Sequence, residues 1–234
     1  MKYLLALLLG MIVGAIFLAL ALLYNPFAAN RGASPLSVTD ADVIALAYSA
    51  VPTESILYTN DGESMHAPRP DKVLQLWEAP IRQTSAMVSL LDNARGEPAG
   101  IGVKLSSKSE SSRPFQGAAI MDSAWYIYLP GRGSLFVAQQ ENYWPFLRQV
   151  AFPAWRSSAN TWRGKWFGDM TSGPGALGTA AVRGASGSLR GRDMEAVESL
   201  SVLAFSSDQG LVSAEGRLLI AFPEPLSAAA NPVR

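Results

Sequence analysis

The sequence contains no cysteine. Disulfides, thiolate nucleophiles and thiolate metal sites are therefore excluded. It has one histidine, His66, so no pair of imidazoles can hold zinc and no H-E-x-x-H helix exists. No G-x-S-x-G elbow and no Walker loop occurs. The glycine cluster from 173 to 178 has Pro174 inside it and no lysine after it, and reads as a loop between strands. No metal and no cofactor is expected. Charge is also scarce, at 16% of residues, which is low for a soluble protein. Lys+Arg and Asp+Glu number 19 each, so the basic excess of a nucleic-acid binder is missing and no nucleic acid is expected as partner.

One long hydrophobic run is present. Residues 3–23 carry no charge, and about 20 apolar residues at 1.5 Å each span a hydrocarbon core of roughly 30 Å. Lys2 precedes the run and Asn25-Pro26 ends it. The positive-inside rule places the N-terminus in the cytoplasm and exports the rest, to the periplasm if the cell is bacterial. The other reading is a cleaved signal peptide: Ala19-Leu20-Ala21 has the small-x-small form, but lies inside the apolar run. Gly10 and Gly14 form a G-x-x-x-G pair that would let two such helices meet in a homodimer.

The expected organisation is an anchor over 1–24, a linker over 25–37, one domain over 38–222 and a disordered tail over 223–234. The linker and tail are rich in Pro, Ala, Ser and Asn. Fully extended, residues 25–37 reach roughly 40 Å, which holds the domain near the bilayer. Thr39-Asp40-Ala41-Asp42 reads as a helix start, with Val43, Leu46, Ala47 and Ala50 at helical spacing and Pro52 as the stop. From Ser55 onward the pattern is β. Apolar runs alternate with turns at Asn60-Asp61-Gly62, Asn93-Ala94-Arg95-Gly96, Gly131-Arg132-Gly133 and Asp208-Gln209-Gly210.

In the last strand Val212, Ala214, Gly216, Leu218, Ile220 and Phe222 share one face, with Ser213, Glu215 and Arg217 on the other. Small residues on an inner face fit a curved or closed sheet. Roughly seven to nine strands with one or two short helices give a mainly β fold, a single barrel or curved sandwich behind one transmembrane helix. The interruption falls at 141–152, where Pro145 starts a short helix with Phe146, Leu147 and Val150 on one side. Ser106 to Ser112 reads as an exposed loop.

Four of the six tryptophans fall between 144 and 166. Trp144, Trp155, Trp162 and Trp166 alternate with Arg148, Arg156 and Arg163. Three readings stand for this segment: a plug at the barrel end with stacked arginines, a ligand pocket, or a membrane or partner surface. On a strand, Asp193 and Glu195 share one face and Glu198 takes the other. These acids either line a solvated strand edge, or Glu198 turns inward as a general acid or base. His66 reads as a surface residue in a turn, with the general-base role as the alternative.

Gly184, Ser186, Gly187 and Gly191, between two strands, resemble the glycine-rich turn of allene oxide cyclase and dirigent barrels over about 162–222. Ala185 and Leu189 depart from that pattern. The resemblance implies an eight-stranded barrel with an apolar central cavity, in families that cyclise fatty-acid epoxides or steer radical coupling. None of their functional residues has a counterpart here. The sequence therefore points to an anchored barrel that binds an apolar or amphipathic small molecule without catalysis. The alternatives are a cyclase- or isomerase-like enzyme, with an acid such as Glu198 or Asp169 in the cavity, and an interaction module of an envelope complex.

Overall fold

The computed structural model describes residues 2–23, 43–54, 59–60, 63–64, 84–175 and 177–222. The expected linker, tail and helix start at Thr39, together with His66, lie outside them. Helix α1 covers Lys2–Leu23. Its side chains are described at Tyr3 and over 6–20, and no helix described to that extent is long and apolar enough to cross a membrane.

The domain is mainly β. Its strands are β1 (Val43–Ser49), β2 (Thr59–Asn60), β3 (Glu63–Ser64), β4 (Thr84–Asn93), β5 (Pro98–Lys108), β6 (Ile120–Leu129) and β7 (Gly133–Asn142). Then follow β8 (Thr161–Asp169), β9 (Thr171–Gly173), β10 (Ala180–Gly184), β11 (Asp193–Ser206) and β12 (Gly210–Ala221). Eight of these close an antiparallel barrel in the order β1-β4-β5-β6-β7-β10-β11-β12 and back to β1. Closure leaves no free edge in the ring. β8 pairs with β11 and β9 with β7, while β2 and β3 form a hairpin of their own. The turns at 94–97, 130–132 and 207–209 sit between paired strands as expected.

Period-two burial builds the interior. Ile44, Leu46 and Tyr48 of β1 point inward, as do Trp125, Ile127 and Leu129 of β6 and Leu135 and Val137 of β7. One end of the barrel is filled by such side chains. The 184–191 turn supplies its plug: Leu189 is fully buried, and Ser186 Oγ accepts from Ser134 N at 3.0 Å. Gly187 needs its positive φ of 63° there, and a Cβ on Gly184 would strike the Leu189 carbonyl. At the other end a helical segment, α2 (144–156), lies against β8 and β11. It runs α-helical over Trp144–Phe146, π-helical over Leu147–Ala151 and α-helical again over Phe152–Arg156. Phe146 and Val150 pack on Trp166, Met170, Leu200 and Val202, with the Phe146 and Trp166 rings 5.5 Å apart.

Four expectations change. The helix read from Val43 to Ala50 is strand β1: it pairs with β12 along its whole length, and that partner overrides the helical spacing and buries the alternate residues Ile44, Leu46 and Tyr48. Ser106 is not in a loop, because β5 runs on to Lys108, and both Ser106 and Ser109 are buried. Glu141 belongs to β7 rather than to the start of the helix, and Leu147 is exposed. Val212 faces out at 47% exposure and Leu211 packs inward instead, because a bulge between β11 and β12 shifts the alternation by one.

Gly216 is an inner-face glycine with a steric cause. It pairs with Tyr48, and a Cβ on it would fall within the Tyr48 ring. Gly216→Val should therefore destabilise the barrel by about 1–3 kcal/mol or more through overpacking. Urea denaturation of the full chain in mild detergent measures this, and an unchanged midpoint would refute the fit.

Candidate active site

Halfway along the barrel the apolar filling stops and a buried polar layer begins. The inner faces of β5, β7 and β11 contribute Lys104, Glu141 and Glu198, each under a tenth exposed. Lys104 Nζ donates to Glu141 Oε1 at 2.6 Å and to Glu198 Oε1 at 2.7 Å. Its ammonium also lies 5.3 Å from the Trp125 ring centre. Lysine and glutamate are almost never buried unless paired, and here one cation joins two anions from separate strands.

Glu198 is saturated. Tyr48 OH donates to its Oε1, and Gln139 Nε2 donates to its Oε2. Trp125 Nε1 donates to Oε2 at 3.1 Å. Thr171 Oγ1 accepts from the Glu198 backbone N at 2.7 Å and donates to Gln139 Oε1 at 3.1 Å, so the layer is cross-braced. Burial alone would raise the Glu198 pKa, but the Lys104 charge and the hydrogen bonds from Lys104, Tyr48 and Trp125 outweigh it and hold it below the usual range. Burial and the Glu198 charge push the Tyr48 phenol well up. Burial would lower Lys104, but Glu141 and Glu198 together hold it well above its ordinary value.

Glu141 differs. Its Oε1 meets Lys104, while its buried Oε2 has no hydrogen-bond partner among the described residues. The buried Ser123 hydroxyl, which has no other partner among the described residues, stands close enough to favour the charged carboxylate. Burial dominates all the same and, with the Glu198 charge, lifts the Glu141 pKa to about 7 against the pull of Lys104.

Above this layer a cavity of about 470 Å³ opens toward the unplugged end. Lys104, Glu141, Glu198 and Tyr48 form its floor, and Met87, Ile120, Phe146, Met170, Leu200 and Leu211 supply much of its wall. Its size and its few convergent polar groups fit a small-molecule site. A groove of about 660 Å³ outside the barrel, beside β1 and β12, takes in none of Lys104, Glu141 and Glu198.

The acid in the cavity is Glu198, with Glu141 beside it. Asp169 ends β8, is exposed and does not line the cavity. Asp193 and Glu195 face outward, opposite Glu198. The tryptophan segment divides. Trp166 is core and bonds Gln149 at 3.1 Å, and Trp162 packs beside it. Trp144 is half-buried, and Trp155 is 67% exposed. Arg148 is half-buried, Arg163 is exposed, and Arg156 lies 5.8 Å from the Phe152 ring centre. None of these seven lines the cavity; from this segment Tyr143, Phe146 and Leu147 do. Sequence reasoning missed Tyr48, Lys104, Trp125, Gln139 and Glu141. The one signal for Lys104 was a charge among Gly102, Val103 and Leu105 in a β run.

The Glu141 carboxyl has a measurable consequence. Its pKa rises from 4.5 to about 7 on folding, so the folded chain holds that proton more tightly than the unfolded chain. The stability it contributes is fully present below pH 4.5 and is lost as pH rises to about 7, on the order of 3 kcal/mol. Wild type should lose stability between pH 5 and 8, and Glu141→Gln should flatten that slope. Urea titrations across that range test it, and equal slopes in both proteins would refute the assignment.

No protein-family model matches the chain, and no curated protein does. Among solved structures the chain is similar to a nonspecific heme-binding cyclase that catalyses a 4 + 2 cycloaddition during neoabyssomicin biosynthesis. That likeness has 12% identity and a TM-score of 0.40, over 83% of this chain and 74% of that one. It is also similar to the Diels Alderase AbmU from Streptomyces koyangensis, with 10% identity and a TM-score of 0.37, over 84% of this chain and 76% of that one. Overlap at that level carries no activity from one chain to another.

Proposed function

We propose that this chain is a membrane-tethered barrel enzyme of the cyclase or isomerase kind, acting on an apolar small molecule in the cavity. The observation behind this reading is Glu141: a buried carboxyl with one oxygen that has no hydrogen-bond partner among the described residues, in the lining of an apolar-walled cavity. An unmet buried acceptor is costly, and such groups cluster where they do chemistry. A pKa near 7 suits a group that must both give and take a proton at neutral pH.

The proposed step is a proton shuttle. The Glu141 carboxyl gives its proton to one atom of the bound molecule. The carboxylate then takes a proton from another atom of that molecule as its bonds rearrange. The carboxyl is restored and the product is an isomer of the substrate. Lys104 stabilises the carboxylate stage, and Glu198, with its bonds filled, holds Lys104 in place.

The tether is part of the proposal. Along α1 apolar side chains stand open all round, Leu9 at 62% and Phe17 at 69% among them. A helix apolar on every side belongs in lipid or in a protein core. With Lys2 at its start, α1 would cross the bilayer from a cytoplasmic N-terminus and leave the barrel on the exported side.

An isomerase preserves mass, which gives a test without a known substrate. Full-length protein incubated with an organic extract of its expression host should convert one feature into a product of equal mass and new retention time. Glu141→Gln should slow that conversion by about 10²–10⁴-fold. A co-purifying molecule that stays unchanged would leave a carrier barrel without catalysis. An extract with no converted feature and no bound molecule would sink both readings.

A further inference from the structure

β4 to β7 carry apolar residues on their outer face as well as their inner one. The register sets them in rows across the sheet. Leu90 lies beside Ile101 and Ile101 beside Tyr128. In the next row Val103 lies beside Tyr126 and Tyr126 beside Phe136, with those two rings 5.0 Å apart. Leu105 lies beside Ala124 in the row after that. No charged residue interrupts these rows. Leu90, Ile101, Leu105, Tyr126, Tyr128 and Phe136 are 42–61% exposed. Taking about 200 Å² for each such side chain, roughly half exposed, the six leave on the order of 600 Å² of apolar surface uncovered. That is at the upper limit for a monomer's largest patch and near the ~800 Å² that each partner buries in a standard interface.

We infer that this face is the interface of a homodimer, in which the outer surface of β4–β7 packs on the same surface of a second copy. Three features favour a copy of this chain as the occupant. The centre of the face carries no charge, and the charges next to it, Asp122 of β6 and Arg183 beside Phe136, stand at its rim, which is the arrangement of a homomeric interface. A four-stranded face can meet the same face of a second copy across a two-fold axis, with the two sheets about 10 Å apart. The chain also carries Gly10 and Gly14, with nothing within 4 Å of the space where a Cβ would sit, on a helix proposed to lie in the membrane. Two copies held by such helices face each other across a short distance, and the sheet face adds the specific contact.

Because the chain lacks cysteine, one introduced thiol reports one place. Val103 lies in the central row, where the proposed two-fold axis passes. The experiment uses full-length Val103→Cys in phosphatidylcholine vesicles, oxidised with copper phenanthroline, beside Asp208→Cys on a remote turn. Val103→Cys should yield a covalent dimer and Asp208→Cys should not. Leu105→Glu, which sets like charges against each other across the axis, should raise the dimer dissociation constant by about 100-fold or more, read by analytical ultracentrifugation of the full chain. Gly10→Leu with Gly14→Leu should weaken the dimer without abolishing the Val103→Cys crosslink. Monomer throughout would overturn the inference. So would equal crosslinking at both thiols, or a dimer that Leu105→Glu spares and the Gly10/Gly14 substitutions dissolve, because the anchor alone would then hold the copies together.

Discussion

One buried ammonium organises this barrel. Lys104 is held by Glu141 and Glu198, and those three residues come from strands β5, β7 and β11 on different parts of the wall. Removing one partner of such a group leaves an uncompensated charge in a low-dielectric interior, at a cost of about 3–5 kcal/mol. The three strands are therefore tied in register by an interaction that tolerates little slippage. Tyr48 brings β1 into the same layer, Trp125 brings β6, and Thr171 brings the short strand β9. Thr171 has a further structural role: its hydroxyl accepts from the backbone of Glu198 and donates to the amide that braces the Glu198 carboxylate.

The layer also divides the interior by function. Below it, side chains and the Leu189 plug fill the barrel, so that end contributes stability. Above it, the space is open and the wall is mostly apolar. Apolar walls keep water away from Glu141, and that dryness is the cause of its raised pKa. Glu198 sits in the same dry interior, yet its pKa is lowered, because Lys104, Tyr48 and Trp125 all donate to it. Two glutamates 57 positions apart in the chain thus meet in one site with opposite protonation tendencies, and hydrogen-bond supply separates them.

Much of the architecture was legible. Turn signals and period-two patterns recovered the β class and the closing hairpin of β11 and β12, because those features depend on neighbouring residues. β1 was misread because Val43, Leu46, Ala47 and Ala50 satisfy a helical spacing, and distant partners, β12 at 166–178 positions and β4 at 45–47 positions, decide for strand. The site was mostly hidden. In β5 the alternation sets Ile101, Val103 and Leu105 against Gly102, Lys104 and Ser106. The usual reading turns the aliphatic set inward. The structure does the reverse, with Lys104 at 7% exposure and Leu105 at 48%. No local rule reports that inversion, because it is stabilised by carboxylates on β7 and β11. Glu198 was visible as an inward candidate because it breaks phase with Asp193 and Glu195.

The inversion of β5 also joins the inside of the barrel to its outside. A strand has two faces, so placing glycine, lysine and serine toward the cavity obliges Ile101, Val103 and Leu105 to face outward. Gly102 has its own reason to be small, since a Cβ there would sit 2.8 Å from the Trp125 ring that donates to Glu198. On β6 the bulky Trp125 faces in, while Tyr126 and Tyr128 cover the outer side next to Ile101 and Val103. If the outer face needed only to meet water, polar residues at 101, 103 and 105 would serve the inner site equally well. Apolar residues there keep the outer face out of water only when something covers it, and covering would hold β5 and β6 still. Those two strands carry Lys104 and Trp125, the donors that set the protonation of the floor. An interface on the outer face would therefore act on the site without touching it, by fixing the wall from which the site is built.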